Sequence, residues 1–243
     1  MKIIRNEQHI RVRRFIAYTF SFAGMAVLLA GMGGLFLEPT SALVIWLPIL
    51  ALPLGYGLAQ VGLYFSNRYV RTPRPDERLD ESLQSVARDG RLYHFVLPAP
   101  HVLLTPAGLI ALIPKFQIGD ISVEGSKWKQ TNVGFMRRMF GQEALGNPTA
   151  EAEYRVKQIA QFVSQNVEAL REEELPIGAI IVFTSKAGGT LDLRESDIPA
   201  MHFTKLKGFW KQRQKDTPLP REKYEALRAA LDKAAEEKEA VSE

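Results

Sequence analysis

Cysteine is absent from the 243 residues. This excludes disulfides, thiolate metal sites, cysteine-ligated iron–sulfur clusters and a cysteine nucleophile. Histidine is scarce: His9, His94, His101 and His202 are scattered, and no H-E-x-x-H pair occurs. The glycine patterns of Walker and Rossmann phosphate loops are missing, so no nucleotide loop is expected. No G-x-S-x-G elbow is present to support a serine hydrolase. Repeats and low-complexity tracts are lacking, apart from an Ala/Glu/Lys-rich end.

Charge is missing from one long stretch. Residues 15–66 hold a single charged residue, Glu38. Phe15 to Leu37 and Ala42 to Ser66 are runs of 23 and 25 uncharged residues. At about 1.5 Å per helical residue, each exceeds the roughly 30 Å of a bilayer's hydrocarbon core. Glu38-Pro39-Thr40-Ser41 between them is short and turn-prone, so the pair reads as a helical hairpin, its second helix kinked at Pro48 and Pro53. A secretory signal would be shorter and would not be followed at once by a second span. Two stripes of small residues, Ala26/Ala30/Gly34 and Ala51/Gly55/Ala59, are candidates for close helix contact.

Positive charge flanks the hairpin. Lys2, Arg5, Arg11, Arg13 and Arg14 precede it, Arg68, Arg71, Arg74 and Arg78 follow it, and the turn has no Lys or Arg. This asymmetry predicts a cell-membrane protein with two spans and both termini cytoplasmic. The net charge of +4 belongs to these flanks, since residues 79–243 carry 22 Lys/Arg against 23 Asp/Glu. It is therefore no argument for nucleic-acid binding by the later domain.

The remainder predicts an α/β sandwich with a mixed sheet. Asp76–Arg88 has helical spacing, with Leu79, Leu83 and Val86 on one side. The runs Leu92–Leu97, Val102–Leu104, Leu109–Ile113, Phe116–Val123 and Lys127–Gln130 read as a meander of four or five strands. A helix capped by Thr149 follows, with Ala152, Val156, Ile159, Val163, Val167 and Leu170 as its apolar stripe. Gly178–Thr184 reads as a buried parallel strand. After the Gly188-Gly189 loop come Leu191–Leu193, Ala200–Phe203, a helix over Thr204–Arg213 and a polar helix over 220–239.

The most informative stretch is Pro100-His101-Val102, then Thr105-Pro106-Ala107-Gly108, then a strand ending Ile113-Pro114-Lys115. Gly119-Asp120-Ile121, Trp128, Asn147-Pro148 and Ile180–Thr184 follow in order. Over roughly residues 76–213 the chain resembles the NERD, or nuclease-related, domain of the PD-(D/E)xK superfamily. That family shows an Asp-His-Val strand, a Gly-Pro-x-Gly turn and a strand ending Glu-x-Lys. The resemblance implies a restriction-endonuclease-like fold and metal-assisted phosphodiester hydrolysis, in which Asp and Glu hold Mg²⁺ and the Lys positions the attacking water.

The acids are missing here too. Pro100 stands where the family has Asp and Ile113 where it has Glu, so Lys115 alone remains of the catalytic set. The resemblance then implies a pseudoenzyme with no cofactor, in which Lys115 contacts phosphate at most. Asp80, Glu81, Asp120 and Glu124 are the acids that would restore an Mg²⁺ site had the ligands moved. Two basic–aromatic clusters are candidate phosphate or nucleic-acid contacts. One holds Lys127, Trp128, Lys129, Phe135, Arg137, Arg138 and Phe140; the other holds Lys205, Lys207, Phe209, Trp210, Lys211, Arg213 and Lys215. With residues 79–243 near zero net charge, the favoured reading of each is a solvated basic face over buried aromatic anchors, or a contact for anionic lipid.

The resulting division is a basic N-terminus (1–14), a transmembrane hairpin (15–66), a linker (67–75), the NERD-like domain (76–215) and a polar C-terminal helix (216–243). The first functional expectation is a membrane-anchored, inactive NERD-like module that binds or scaffolds, with nucleic acid as one candidate ligand. The second is a membrane-tethered, metal-dependent nuclease with relocated acids. The third is a membrane assembly subunit that meets a protein partner or its own copy through the hairpin or the C-terminal helix.

Overall fold

A computed structural model describes all residues except 37–41, 86, 88, 172–174, 187–188, 214–217 and 241–243. The expected turn at Glu38–Ser41, Leu37, Val86, Arg88, Gly188 and Lys215 lie outside the described residues. By internal contacts the chain forms two units. One comprises Met1–His9, Pro75–Val133 and Ala144–Glu243; the other comprises Ile10–Arg74 and Gly134–Glu143.

In the second unit, α1 (Glu7–Gly34) begins before the unit's boundary and α2 (Ala42–Phe65) runs through Pro48 and Pro53. Both helices are long and apolar enough to cross a membrane. A π-helical turn, Ser66–Val70, continues α2. The buried positions of α1 include Ile10, Ala17, Gly24 and Gly31, spaced seven residues apart, and at Gly24 and Gly31 the neighbour is α2. A Cβ added to Gly24 would lie 2.8 Å from the Gly55 carbonyl and the Ala59 amide, so backbone meets backbone there. This corrects half of the expected small-residue contact. Ala51 and Gly55 of α2 are buried, as is Gly34, but Ala26 and Ala30 are exposed and the seam runs through Gly24 and Gly31.

The first unit is an α/β assembly with two mixed sheets. Its elements are β1 (Lys2–Arg5), α3 (Pro75–Leu83), β2 (Arg91–His94), β3 (His101–Thr105), β4 (Gly108–Lys115), β5 (Asp120–Gly125) and β6 (Lys127–Thr131). A short α4 (Phe135–Phe140), which belongs to the other unit, intervenes. Then come α5 (Pro148–Asn166), β7 (Ile177–Phe183), β8 (Leu191–Ser196), β9 (Ala200–His202), α6 (Phe203–Arg213) and α7 (Arg221–Ala240). The larger sheet has the order β1-β2-β3-β4-β7-β9, and the smaller β6-β5-β8. β2, β3 and β4 are antiparallel neighbours, while β7 runs parallel to both β4 and β9. The continuous apolar run of β7 suits that central, doubly covered place.

Three readings of the sequence change. The expected meander is split, because β5 and β6 leave the larger sheet and pair with β8. Gly119 marks the break: its φ of +104° excludes a side chain without strain. The cap of α5 is Asn147, whose side chain accepts from the Ala150 amide ahead of Pro148, and not Thr149. The basic N-terminus contains a strand, β1, parallel to β2 and paired from Lys2–Arg91 to Arg5–His94.

Alternation along the strands divides the core between the faces of the larger sheet. Tyr93, Val102, Leu104, Leu109, Ala111, Ile113, Ile181 and Phe183 pack with Ala152, Ile159 and Val163 of α5 and Leu227, Leu231 and Ala235 of α7. Leu92, Leu103, Ile110, Leu112, Ile180 and Val182 pack with Leu79 and Leu83 of α3 and Leu206 and Trp210 of α6. The helix read as a polar tail thus docks on the core through an apolar stripe, and Asp232 on it accepts hydrogen bonds from Arg91 and Tyr93.

Candidate functional site

Lys115 ends β4 on the face covered by α5, two residues beyond Ile113. The Gly108 turn that starts this strand needs glycine, since φ is +129° and an added Cβ would collide with the Pro176 carbonyl. The Lys115 ammonium is nearly buried. It donates to Glu151 at 2.6 Å and to the Leu145 carbonyl at 3.5 Å. Glu151 stands in the first turn of α5, where the helix N-terminus also favours a carboxylate. The motif lysine is therefore neutralised inside the fold by an acid that sequence reading did not single out. Glu151 lies 36 residues downstream of Lys115, and only the docking of α5 on β4 brings the two together.

The positions expected to carry metal ligands are otherwise occupied. Ile113 is buried in the core cluster at 3% exposure. The Pro100 carbonyl accepts from the Phe95 amide at 2.8 Å, closing a loop in which Phe95 takes a φ of +62°. The four acids weighed as replacements do not gather at Lys115. Asp80 and Glu81 belong to α3, on the opposite face of the sheet, where Glu81 pairs with Arg78 at 3.0 Å. Asp120 accepts from the amide and hydroxyl of Thr190 at 2.7 and 2.9 Å and from Asn132, which holds its carboxyl below the usual range. Glu124 is exposed on β5, in register with Lys127 and Glu195. Among the described residues, no group of three His, Asp or Glu side chains is placed to hold a metal ion.

A second polar cluster lies on the α3 face. Arg5 pairs with Asp76 at 3.1 Å and with Asp80. Asp80 meets His94 Nε2 at 3.0 Å, and the Nδ1 atoms of His94 and His101 are 2.7 Å apart. A carboxylate only accepts, so His94 Nε2 carries hydrogen. With both rings neutral, His94 Nδ1 accepts from His101 Nδ1–H. Burial, and next the neighbouring His94, push the His101 pKa well below its ordinary value. The Phe95 ring packs between His9 at 5.2 Å and His101 at 4.8 Å. Along the chain the four histidines are scattered. The signal that brings two of them together is pairing across a hairpin, where His94 faces His101.

The basic–aromatic clusters come apart. Trp128 is half-buried, donates to the Thr149 hydroxyl at 2.8 Å and packs 6.0 Å from Phe183. Trp210 is 6% exposed and belongs to the core, so it offers no stacking face. Lys127 and Lys129 on β6 and Lys205, Lys207 and Lys211 on α6 remain exposed. Phe135, Arg137, Arg138 and Phe140 belong to the hairpin unit. No family model matches the chain, and neither a curated protein nor a solved structure matches it.

Proposed function

We propose that the chain is a two-span membrane protein whose α/β domain lies on the cytoplasmic side and acts as a binding or scaffolding module without nuclease activity. The membrane part is supported by two long apolar helices whose most apolar stretches are only 17% and 11% buried, unlike core helices of a soluble domain. Lys/Arg on both flanks supports the orientation. The NERD-like, restriction-endonuclease-like reading is supported by where the motif pieces fall. His101-Val102 opens β3, the Thr105–Gly108 turn leads to β4, Lys115 ends β4, Asn147-Pro148 starts α5, and Ile180–Phe183 lies in β7 beside β4.

The observation that carries the inactive reading is the Lys115–Glu151 pair at 2.6 Å, beside an Ile113 and a Pro100 that offer no ligand atoms on their side chains. Mg²⁺ binds hard oxygen donors and gives up its water reluctantly, so one carboxylate already committed to a lysine is a poor site. The exposed lysines supply phosphate contacts without aromatic platforms, which suits weak, salt-sensitive binding of nucleic acid.

The test uses the purified full chain in nanodiscs with single- and double-stranded DNA and RNA. No Mg²⁺- or Mn²⁺-stimulated cleavage is expected. Weak binding should fall steeply with salt, and Lys115→Ala should leave it nearly unchanged because that charge is held by Glu151. Metal-dependent cleavage abolished by both Lys115→Ala and Glu151→Ala would overturn the reading in favour of a relocated nuclease site.

A further inference from the structure

The segment Gly134–Glu143 is placed between two parts of the α/β unit in sequence, yet by contacts it belongs with the hairpin. Its α4 has one apolar arc. At 100° per residue, Phe135, Met136, Met139 and Phe140 fall within about 140°, and Arg137 and Arg138 lie on the other side. Phe135, Met136 and Phe140 are 73%, 67% and 53% exposed. Three large apolar side chains this open on one turn and a half of helix mark a surface that something covers.

The contacts of the segment indicate what covers it. The Gln60 side chain, in the otherwise apolar second half of α2, donates to the Met139 carbonyl at 2.7 Å. That bond satisfies one of the free carbonyls at the end of α4, which hydrocarbon surroundings require. Tyr56 of α2 meets Phe140 edge to face at 6.0 Å. Arg68, just past α2, pairs with Glu143 and lies 3.8 Å over the Tyr64 ring. α4 thus packs alongside α2 at Tyr56 and Gln60, with Phe135, Met136 and Phe140 left open. It sits toward the end of α2 that carries the flanking cations.

We infer that Gly134–Glu143 is an interfacial helix seated in the membrane beside the second span, its Phe135, Met136 and Phe140 in the acyl boundary and Arg137 and Arg138 against anionic headgroups. This rests on the two-span reading. Aromatic side chains favour that depth, and arginine stems reach outward from it to phosphate. The domain is then tied to the bilayer at a third point, beyond its two covalent links to the hairpin.

The absence of cysteine makes the test direct, because each introduced cysteine is unique. Full-length chains carrying Met136→Cys, Phe135→Cys, Leu29→Cys or Ser126→Cys are nitroxide-labelled in nanodiscs containing anionic lipid. Relaxation by oxygen, which enters lipid, is compared with relaxation by a water-soluble nickel chelate. Labels at 135 and 136 should follow Leu29 in the apolar stretch of α1 and be oxygen-dominated, while Ser126 on the β5–β6 turn should be chelate-dominated. Labels at 135 and 136 that match Ser126, with Leu29 still in lipid, would overturn the interfacial helix and leave the spans standing. A chelate-accessible Leu29 would sink the spans and the inference together. Changing Arg137 and Arg138 to Glu should raise chelate access at 136 about two-fold or more in anionic discs only. An equal rise in phosphatidylcholine discs would overturn the headgroup contact.

Discussion

A buried histidine whose charged form is disfavoured makes a fold sensitive to acid. His101 is buried beside His94, and the low-dielectric site disfavours its charged form. Its pKa in the folded chain therefore lies below the roughly 6.5 of an unfolded chain. The unfolded state binds more protons as pH falls, so the contribution of His101 to stability is complete above about pH 6.5 and is lost on descent toward its folded pKa. The melting temperature of the full chain in nanodiscs should fall between pH 7.5 and 5. In His101→Gln, whose amide can donate to His94, the fall should be shallower. Equal slopes for both chains would remove His101 as the cause. Sequence reading at this scale found Lys115 through its motif but could not find Glu151 or the Asp80–His94–His101 chain. Those pairings depend on which helix covers which face of the sheet.

Helices and strands show where local rules suffice. The apolar runs, the Asn147-Pro148 start of α5 and the Gly108 turn are written in short stretches, because capping, backbone freedom and periodicity act over a few residues. Which glycines make the hairpin seam is a matter of register between two helices. Gly24 meets the backbone of α2, while nothing lies within 4 Å of a Cβ placed on Gly33. Gly24→Ala should therefore destabilise the hairpin by about 1–3 kcal/mol through overpacking against backbone. Gly33→Ala should be neutral or slightly stabilising through helix propensity. Thermal unfolding of both variants in the same detergent checks the contrast, and equal stabilities would mean the seam lies elsewhere.

For the whole molecule, the consequential finding is that the chain's first residues complete the sheet of its later domain. β1 covers the edge of β2, and Arg5 on it meets Asp76, whose side chain is 1% exposed. A fragment of residues 76–243 loses both. It leaves an open strand edge, a known route to aggregation, and a buried carboxylate without its guanidinium. The fragment should be about 2–3 kcal/mol less stable than the same fragment joined by a flexible linker to Met1–His9. Calorimetry of the two proteins gives the comparison, and indistinguishable melting would show that β1 is dispensable.

The sequence by itself determined the properties that depend on composition and on neighbours along the chain. These are two helices long and apolar enough to cross a bilayer, a mixed α/β domain behind them, and side chains at Pro100 and Ile113 that offer no oxygen or nitrogen donor. Tertiary structure decided what depends on partners distant in sequence. It paired Lys115 with Glu151, separated Asp80 and Glu81 from that lysine by a sheet, and buried Trp210. It also broke the strand series at Gly119 and drew Lys2–Arg5 into a sheet whose other strands begin at residue 91. Side-chain charge and hydropathy act locally and can be read in order. A buried ion pair or a strand edge exists only once the elements around it have excluded water.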